Sequence, residues 1–171
     1  MRIFLTGFMG VGKTTVGGLL AARLRHPFFD LDRMVEQAAK ASVAEIFARG
    51  SESEFRLLEA DALRNTDWPV DCVVATGGGC LVREENLSVA QDLGVVVWID
   101  QPFDTIAQRV GEPAEGERPL FSDLERARGL YQSRRRAYEK ADLHLVVRAE
   151  ESPSEVAFRI ADRLRDIACA T

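Results

Sequence analysis

Gly7-Phe8-Met9-Gly10-Val11-Gly12-Lys13-Thr14 has a glycine, four variable residues, then Gly-Lys-Thr. Glycines at such positions let several amide N–H groups turn inward onto one anion, because they adopt dihedrals other residues avoid and leave room for a phosphate. A helix beginning directly afterwards points the positive end of its dipole at the same anion. In this pattern Lys13 reaches the β- and γ-phosphates and the Thr14 hydroxyl sits on Mg²⁺. A glycine-rich turn with no ligand is the plainer alternative. The apolar strand before the motif and the amphipathic helix after it favour the phosphate loop. It implies ATP or GTP together with Mg²⁺, and leaves the acceptor open.

Other residues bear on the acceptor. Asp30 and Asp32, in "FFDLD", end the second apolar run. Strand alternation puts both on one side with Leu31 opposite, one for the magnesium shell and one for a substrate hydroxyl. The plainer reading of Asp32 is an N-cap for the next helix. "ATGGGC", Ala75 to Cys80, has three successive glycines, which make either a tight turn or a close backbone approach to a ligand. Arg56 and Glu59 in "EFRLLE" are three apart, hence on one helical face. Such pairs usually decorate surfaces, but an arginine held by a glutamate can also offer its fork to a carboxylate. The run Arg134-Arg135-Arg136 can turn at most one or two side chains inward. No Asn-Lys pair exists to read guanine, and the chain is short for a large ATPase. A small-molecule kinase remains.

These residues need elements to position them. Apolar, β-branched or aromatic runs predict strands at Arg2–Thr6, Pro27–Asp30, Asp71–Thr76, Gly94–Asp100 and Leu143–Arg148. Apolar stripes predict helices at Thr14–Arg25 and Ser154–Ala168, and a third, capped by Ser51 or Ser53, runs to about Asn65. Alternation of strands and helices implies right-handed crossovers and a mainly parallel sheet covered on both faces. Ligands bind beyond the carboxyl ends of such strands, where Gly7–Thr14, Asp30–Asp32 and Gly77–Gly79 fall. "GEPAEGERPLFSD", Gly111 to Asp123, reads as a mobile loop carrying Arg118.

The length of 171 residues suits one domain. A net charge of -5 argues against a nucleic-acid coat or a membrane-surface protein, which present basic faces. Cys72, Cys80 and Cys169 form no even set and no Cys-x-x-Cys pair, so reduced thiols are expected. No apolar run approaches the ~18 residues of a membrane span, and the N-terminus does not read as a signal peptide. The expectation is a cytoplasmic protein, monomeric by default, with no nucleic-acid or membrane partner.

"GFMGVGKTTVG", "FFDLD", "AEIFARGSESEFRLLE", "VVATGGG", the "RPL" of the loop and "RRRAYEKAD" together resemble the shikimate kinases in order and spacing, from residue 3 to about 153. The resemblance implies a three-layer α/β/α sandwich on a five-stranded parallel sheet, the P-loop NTP hydrolase fold, as one domain over 1–171. Residues 32–66 would be its substrate-binding helical region and 111–123 a mobile lid. It implies phosphorylation of the 3-hydroxyl of shikimate by ATP, within aromatic amino acid biosynthesis. Gly10, Val11, Gly12, Lys13, Thr14 and Thr15 would hold ATP, with Arg109 stacking on adenine and Pro153 in the adenine loop. Thr14 would bind Mg²⁺, with Asp30 reaching it through water. Asp32 would bond the shikimate hydroxyls and is the candidate base. Arg56 and Arg134 would grip the carboxylate, Glu59 would orient Arg56, and the Gly77, Gly78 and Gly79 amides would reach the substrate. Phe47 and Phe55 would wall the pocket, and Arg118 would close on phosphates and substrate. Lys13, Asp32 and Arg118 form the catalytic set.

Three positions depart from the family pattern: Arg136 where many members have proline, Arg148 where aspartate is frequent, and Leu31 in place of a small polar residue. The choice of Arg134 rests on its four-residue spacing to Tyr138, and a slip by one stays open. A kinase of another polyhydroxy acid such as gluconate, and a non-catalytic nucleotide-binding module, are the alternatives.

Overall fold

Why the apolar runs become strands is visible in how they alternate. In the computed structural model, which describes residues 1–49, 52–111 and 123–169, strand β1 (Arg2–Thr6) sits in the middle of a five-stranded parallel sheet. Its neighbours are β3 (Cys72–Ala75) and β4 (Val95–Asp100); β2 (Phe28–Asp30) and β5 (Leu143–Val146) form the edges, giving the order β2-β3-β1-β4-β5. Ile3 and Leu5 pack with Val73, Val97 and Ile99 against helices α1 (Lys13–Leu24) and α8 (Pro153–Cys169). Phe4 packs with Val74 and Val96 on the opposite face, against Leu63 of α4 (Glu52–Asn65) and Leu87 of α5 (Glu84–Leu93). Both faces are apolar because both are covered. The result is the three-layer α/β/α sandwich of the P-loop fold.

Strand β1 has the bounds its apolar run predicts; the other four are shorter than predicted, although their ends still bond. The Val73 amide donates to the Pro27 carbonyl, the Thr76 amide to Leu5, and the Val147 amide to Asp100. Helices α2 (Leu31–Ala39) and α3 (Val43–Arg49) join α4 in a side cluster built on Val35, Ile46 and Phe55. Helices α6 (Phe103–Val110) and α7 (Leu124–Tyr138) flank the segment 112–122, so the expected lid and Arg118 lie outside the described residues, as does Ser51. Because α4 begins at Glu52, Ser53 falls inside its first turn rather than at its cap.

Contrary to what the apolar run predicts, Asp30 and Asp32 do not alternate along one strand. The strand stops at Asp30, whose carboxylate caps α2 by accepting the Arg33 amide (3.3 Å). Asp32 therefore lies in the first helical turn, and Asp30 rather than Asp32 is the cap. The two carboxylates nonetheless line one cavity, brought together by the strand-to-helix turn.

Candidate active site

The donor side is built by the turn from β1 into α1. Gly7 has a φ of +142°, and a Cβ there would stand 2.5 Å from the Ile99 carbonyl oxygen, so only glycine fits. Gly10 and Gly12 take positive φ values of 79° and 93°. Lys13 is buried, and its ammonium donates to the carbonyls of Gly7 (2.9 Å) and Phe8 (3.1 Å). Burial lowers its pKa to about 8; Asp32 pulls it back up, while Arg134 lowers it further. The amine is thus a cation held inside its own loop, and an anion placed beside it favours the charged form.

The Thr14 hydroxyl donates to Asp30 Oδ2 at 2.7 Å. These are two hard oxygen groups, already adjacent and beside the glycine-rich loop. Among the described residues no group of three or more His, Cys, Asp or Glu side chains could hold a metal. A Mg²⁺ bound by one hydroxyl, one carboxylate and phosphate oxygens fits that donor set, since Mg²⁺ keeps its waters and borrows substrate oxygens.

The acceptor side is an alternating cluster of buried charges. Glu59 is fully buried; its Oε2 accepts from Arg56 Nη1 at 2.5 Å, and its Oε1 has no hydrogen-bond partner among the described residues. Arg56 also donates to Glu52 Oε1 from Nη2 (3.0 Å). Asp32 Oδ1 is buried and likewise unpartnered. Burial raises the pKa of both carboxyls; Lys13 opposes the shift at Asp32, and Arg56 opposes it at Glu59. An unpartnered buried oxygen costs about 1–3 kcal/mol, and a hydroxyl arriving from the cleft would remove that cost.

The three glycines follow β3 and lead into a 3₁₀ turn, Cys80–Val82. A Cβ on Gly77 would stand 2.6 Å from Asp32 Oδ1 and collide with Glu59 Oε1, and one on Gly79 would stand 2.5 Å from Arg56 Nη2. Neither plain turn nor ligand approach describes them fully: they let Asp32, Glu59 and Arg56 come up against the backbone. The Gly78 carbonyl accepts from Tyr138 Oη (2.5 Å) and Arg134 Nη1 (3.2 Å), which fixes the peptide planes of the turn.

Helix geometry separates the three arginines. Arg134 is buried and faces Gly78. Arg135 turns about 100° away to Asp100, with Nη1–Oδ1 and Nη2–Oδ2 both 3.1 Å, and to Tyr131 Oη (2.9 Å). Arg136 is exposed. Phe47 and Phe55 pack with ring centroids 5.1 Å apart, Phe55 buried and Phe47 40% exposed. A cavity of about 490 Å³ joins the two halves, lined by Gly10, Gly12, Lys13, Thr14, Thr15, Asp30, Asp32, Gly78 and Arg109 among others. Phe47, Phe55, Arg56, Glu59, Gly77, Gly79 and Arg134 are not on its lining; Asp32 stands against Gly77 beside Glu59, and the Gly78 carbonyl accepts from Arg134. A smaller slot of about 100 Å³, which shares Gly12, Thr15 and Arg109 with that cavity, is lined by Val11 from the loop and by Val147, Glu151 and Pro153 from the segment after β5. Arg109 donates to the Gly10 carbonyl.

Sequence reasoning passed over Glu52, Tyr138 as a hydrogen-bond donor, and Glu151. The Glu52–Arg56 spacing of four was a readable signal; the other two depend on contacts between distant segments.

Residues 9–165 match the family model described as shikimate kinase. The shikimate kinase of Nostoc sp. (strain PCC 7120) is 38% identical over 170 residues, 98% of this chain and 92% of that protein. The Aquifex aeolicus shikimate kinase is 38% identical over 161 residues, 94% of each chain. Its crystal structure aligns with a TM-score of 0.86, at 38% identity and 98% coverage of both chains. Shikimate kinase from Acinetobacter baumannii in complex with shikimate aligns at 0.89 with 29% identity, covering 96% of this chain and 93% of that one. A gluconokinase from Sinorhizobium meliloti aligns at only 0.57 with 16% identity, a likeness of fold alone.

Proposed function

This chain belongs to the shikimate kinase family, and we propose from that premise that its cleft transfers the γ-phosphoryl group of ATP to the 3-hydroxyl of shikimate, giving 3-phosphoshikimate and ADP. The observation that carries this reading is the unpartnered Asp32 oxygen, in the same cavity as Lys13 and Thr14.

Phosphoryl transfer depends on positioning and on neutralising charge more than on covalent catalysis. The loop amides of Gly10 to Gly12 and the Lys13 ammonium hold the phosphates of ATP, with Val11 and Thr15 beside them. Mg²⁺, held by Thr14 and Asp30, supplies charge neutralisation on those phosphates when bound. Asp32 accepts the proton as the shikimate 3-oxygen bonds to phosphorus and the bond from phosphorus to the ADP oxygen breaks. Arg56, oriented by Glu59 and Glu52, and Arg134 take the carboxylate of shikimate, and the Gly77–Gly79 segment lines its remaining face. Phe47 and Phe55 wall the pocket. Arg109 and Pro153 bracket the base. Arg118, outside the described residues, is assigned by the resemblance alone to the transferring phosphate, within a lid over 111–123 that excludes water. The chain is read as a single domain with residues 32–66 as its substrate-binding region.

We place the protein in the cytoplasm as a monomer without a nucleic-acid partner. The acidic balance supports the absence of a nucleic-acid partner; no helix among the described residues is long and apolar enough to cross a membrane.

Phosphorus NMR of the product tests the reaction. With Mg²⁺, ATP and shikimate, a phosphate coupled to the proton on carbon 3 is the expected result; ADP release without a phosphorylated shikimate would refute it.

Three substitutions test the pocket. Arg134→Ala should weaken shikimate binding by about 10²-fold, the scale of a lost charge-assisted contact. Arg135→Ala should leave shikimate affinity within about twofold, because Arg135 is committed to Asp100. Titration calorimetry with shikimate reads both, and the reverse pattern would put the wrong arginine in the pocket. Gly79→Ala should push the Arg56 guanidinium aside and weaken shikimate binding about tenfold, with ADP affinity kept. Equal losses for both ligands would instead indicate general disruption.

A further inference from the structure

Glu151 serves neither phosphate nor acceptor, yet its side chain is only 12% exposed and every polar contact it makes is to its own surroundings. Its Oε2 accepts the Arg148 amide at 2.7 Å, and its own amide donates to the Arg148 carbonyl at 3.2 Å, closing a short ring at the end of β5. Arg159, two turns along α8, donates to both Glu151 oxygens (2.5 and 2.7 Å) and to the Val146 carbonyl (3.2 Å). The next residue caps α8: Ser152 and Glu155 exchange bonds as a capping box, with Pro153 in the first helical position. The connection from β5 to α8 is therefore tied at both ends, and this connection is the second wall of the 100 Å³ slot opposite Val11, Gly12 and Arg109.

We propose that the Glu151–Arg159 pair is a positioning brace for the nucleotide base, fixing the distance between the Val147–Pro153 wall and Arg109 so that a flat purine fits. This rests on the nucleotide-binding reading of the cleft. A planar ring sandwiched between two walls gains dispersion contact only while their separation is held within a fraction of an ångström. With its oxygens already engaged by Arg159 and the Arg148 amide, the glutamate acts through the wall it holds. The contact to the Val146 carbonyl adds the sheet to the brace, so wall and strand move together. An exposed ion pair contributes little, but this one is mostly enclosed and shares its oxygens with a backbone amide.

Calorimetric titration of ADP, with shikimate as a second titrant, tests the brace. Glu151→Ala and Arg159→Met should each weaken ADP binding about tenfold, raise KM for ATP more than they lower kcat, and leave shikimate affinity within twofold. Glu151→Gln keeps an acceptor for the Arg148 amide and should recover most of the ADP affinity. Asp162→Ala breaks an exposed pair with Arg165 on the same helix and should not change ADP binding, which separates the brace from a general softening of α8. Preference for ATP over GTP should narrow in Glu151→Ala, since a looser slot tolerates a different purine edge. Unchanged ADP affinity in both Glu151→Ala and Arg159→Met, or equal loss for ADP and shikimate, would overturn the proposal. Absence of ADP binding in the unmutated protein would instead refute the nucleotide site itself.

Discussion

Lys13→Met should reduce kcat by about 10³-fold or more while the protein stays folded. The scale follows from removing one preorganised group aimed at developing charge, which typically costs 10²–10³-fold, with a full cation at the upper end. The folding expectation is less obvious, because Lys13 is buried and bonds two carbonyls of its own loop. Its pKa near 8 against an ordinary 10.5 means that the charged form is disfavoured in the fold by about 3 kcal/mol. Removing the ammonium relieves that cost but strands two carbonyls, at about 1–3 kcal/mol each. The terms nearly cancel, so thermal denaturation should show a midpoint close to that of the unmutated protein. The pH sign is also fixed. As pH rises through about 8 the free enzyme loses the Lys13 proton and with it the attraction for phosphate, so kcat/KM for ATP should fall there. Between 8 and 10.5 the unfolded chain binds more protons than the native one, so this group alone makes stability rise with pH. Lys13→Met should lose the alkaline limb. A limb that persists in that variant would assign it to another group.

Asp32→Asn should lower kcat by about 10²–10⁴-fold, the usual worth of a positioned proton acceptor, with ADP affinity changed far less. Burial raises the Asp32 pKa above 3.8 despite Lys13. The acid limb of kcat/KM for shikimate should therefore lie above the pH of an ordinary aspartate. Stability runs the other way: just above pH 3.8 the native protein holds more protons than the unfolded chain, so this group's contribution falls as pH rises through that window. Asp32→Asn removes a buried charge and should not lower the melting temperature at neutral pH. It should also move the alkaline limb to lower pH, because Asp32 is the main group holding the Lys13 pKa up. An acid limb unchanged in Asp32→Asn would mean that Asp32 is not the proton acceptor.

How much of this was legible beforehand differs residue by residue. The phosphate loop was, because its glycines are demanded by backbone geometry that survives in any context: Gly7, Gly10 and Gly12 all take positive φ. Strand order could not be read, since apolar runs covered on both faces look alike. Asp30 and Asp32 were picked out by type, but alternation was the wrong period for them; the helix already starts at Leu31, before a strand could carry through to Asp32. The Arg56–Glu59 spacing was visible, whereas the full burial of Glu59 was not, because pairs three apart on a helix are usually solvated. The reason for Gly77 and Gly79 was hidden for the same cause: the side chains they accommodate come from α2 and α4, distant in sequence. Arg134 and Arg135 are neighbours in sequence and opposites in space, which only the orientation of α7 reveals.

A coupled assay of ADP formation with Mg²⁺-ATP identifies the acceptor. Shikimate, quinate and gluconate would each be offered at the same concentration to the same protein. Turnover on shikimate, exceeding the others by orders of magnitude and falling by about 10²–10⁴-fold in Asp32→Asn, is the expected result. Turnover on gluconate with none on shikimate would contradict it.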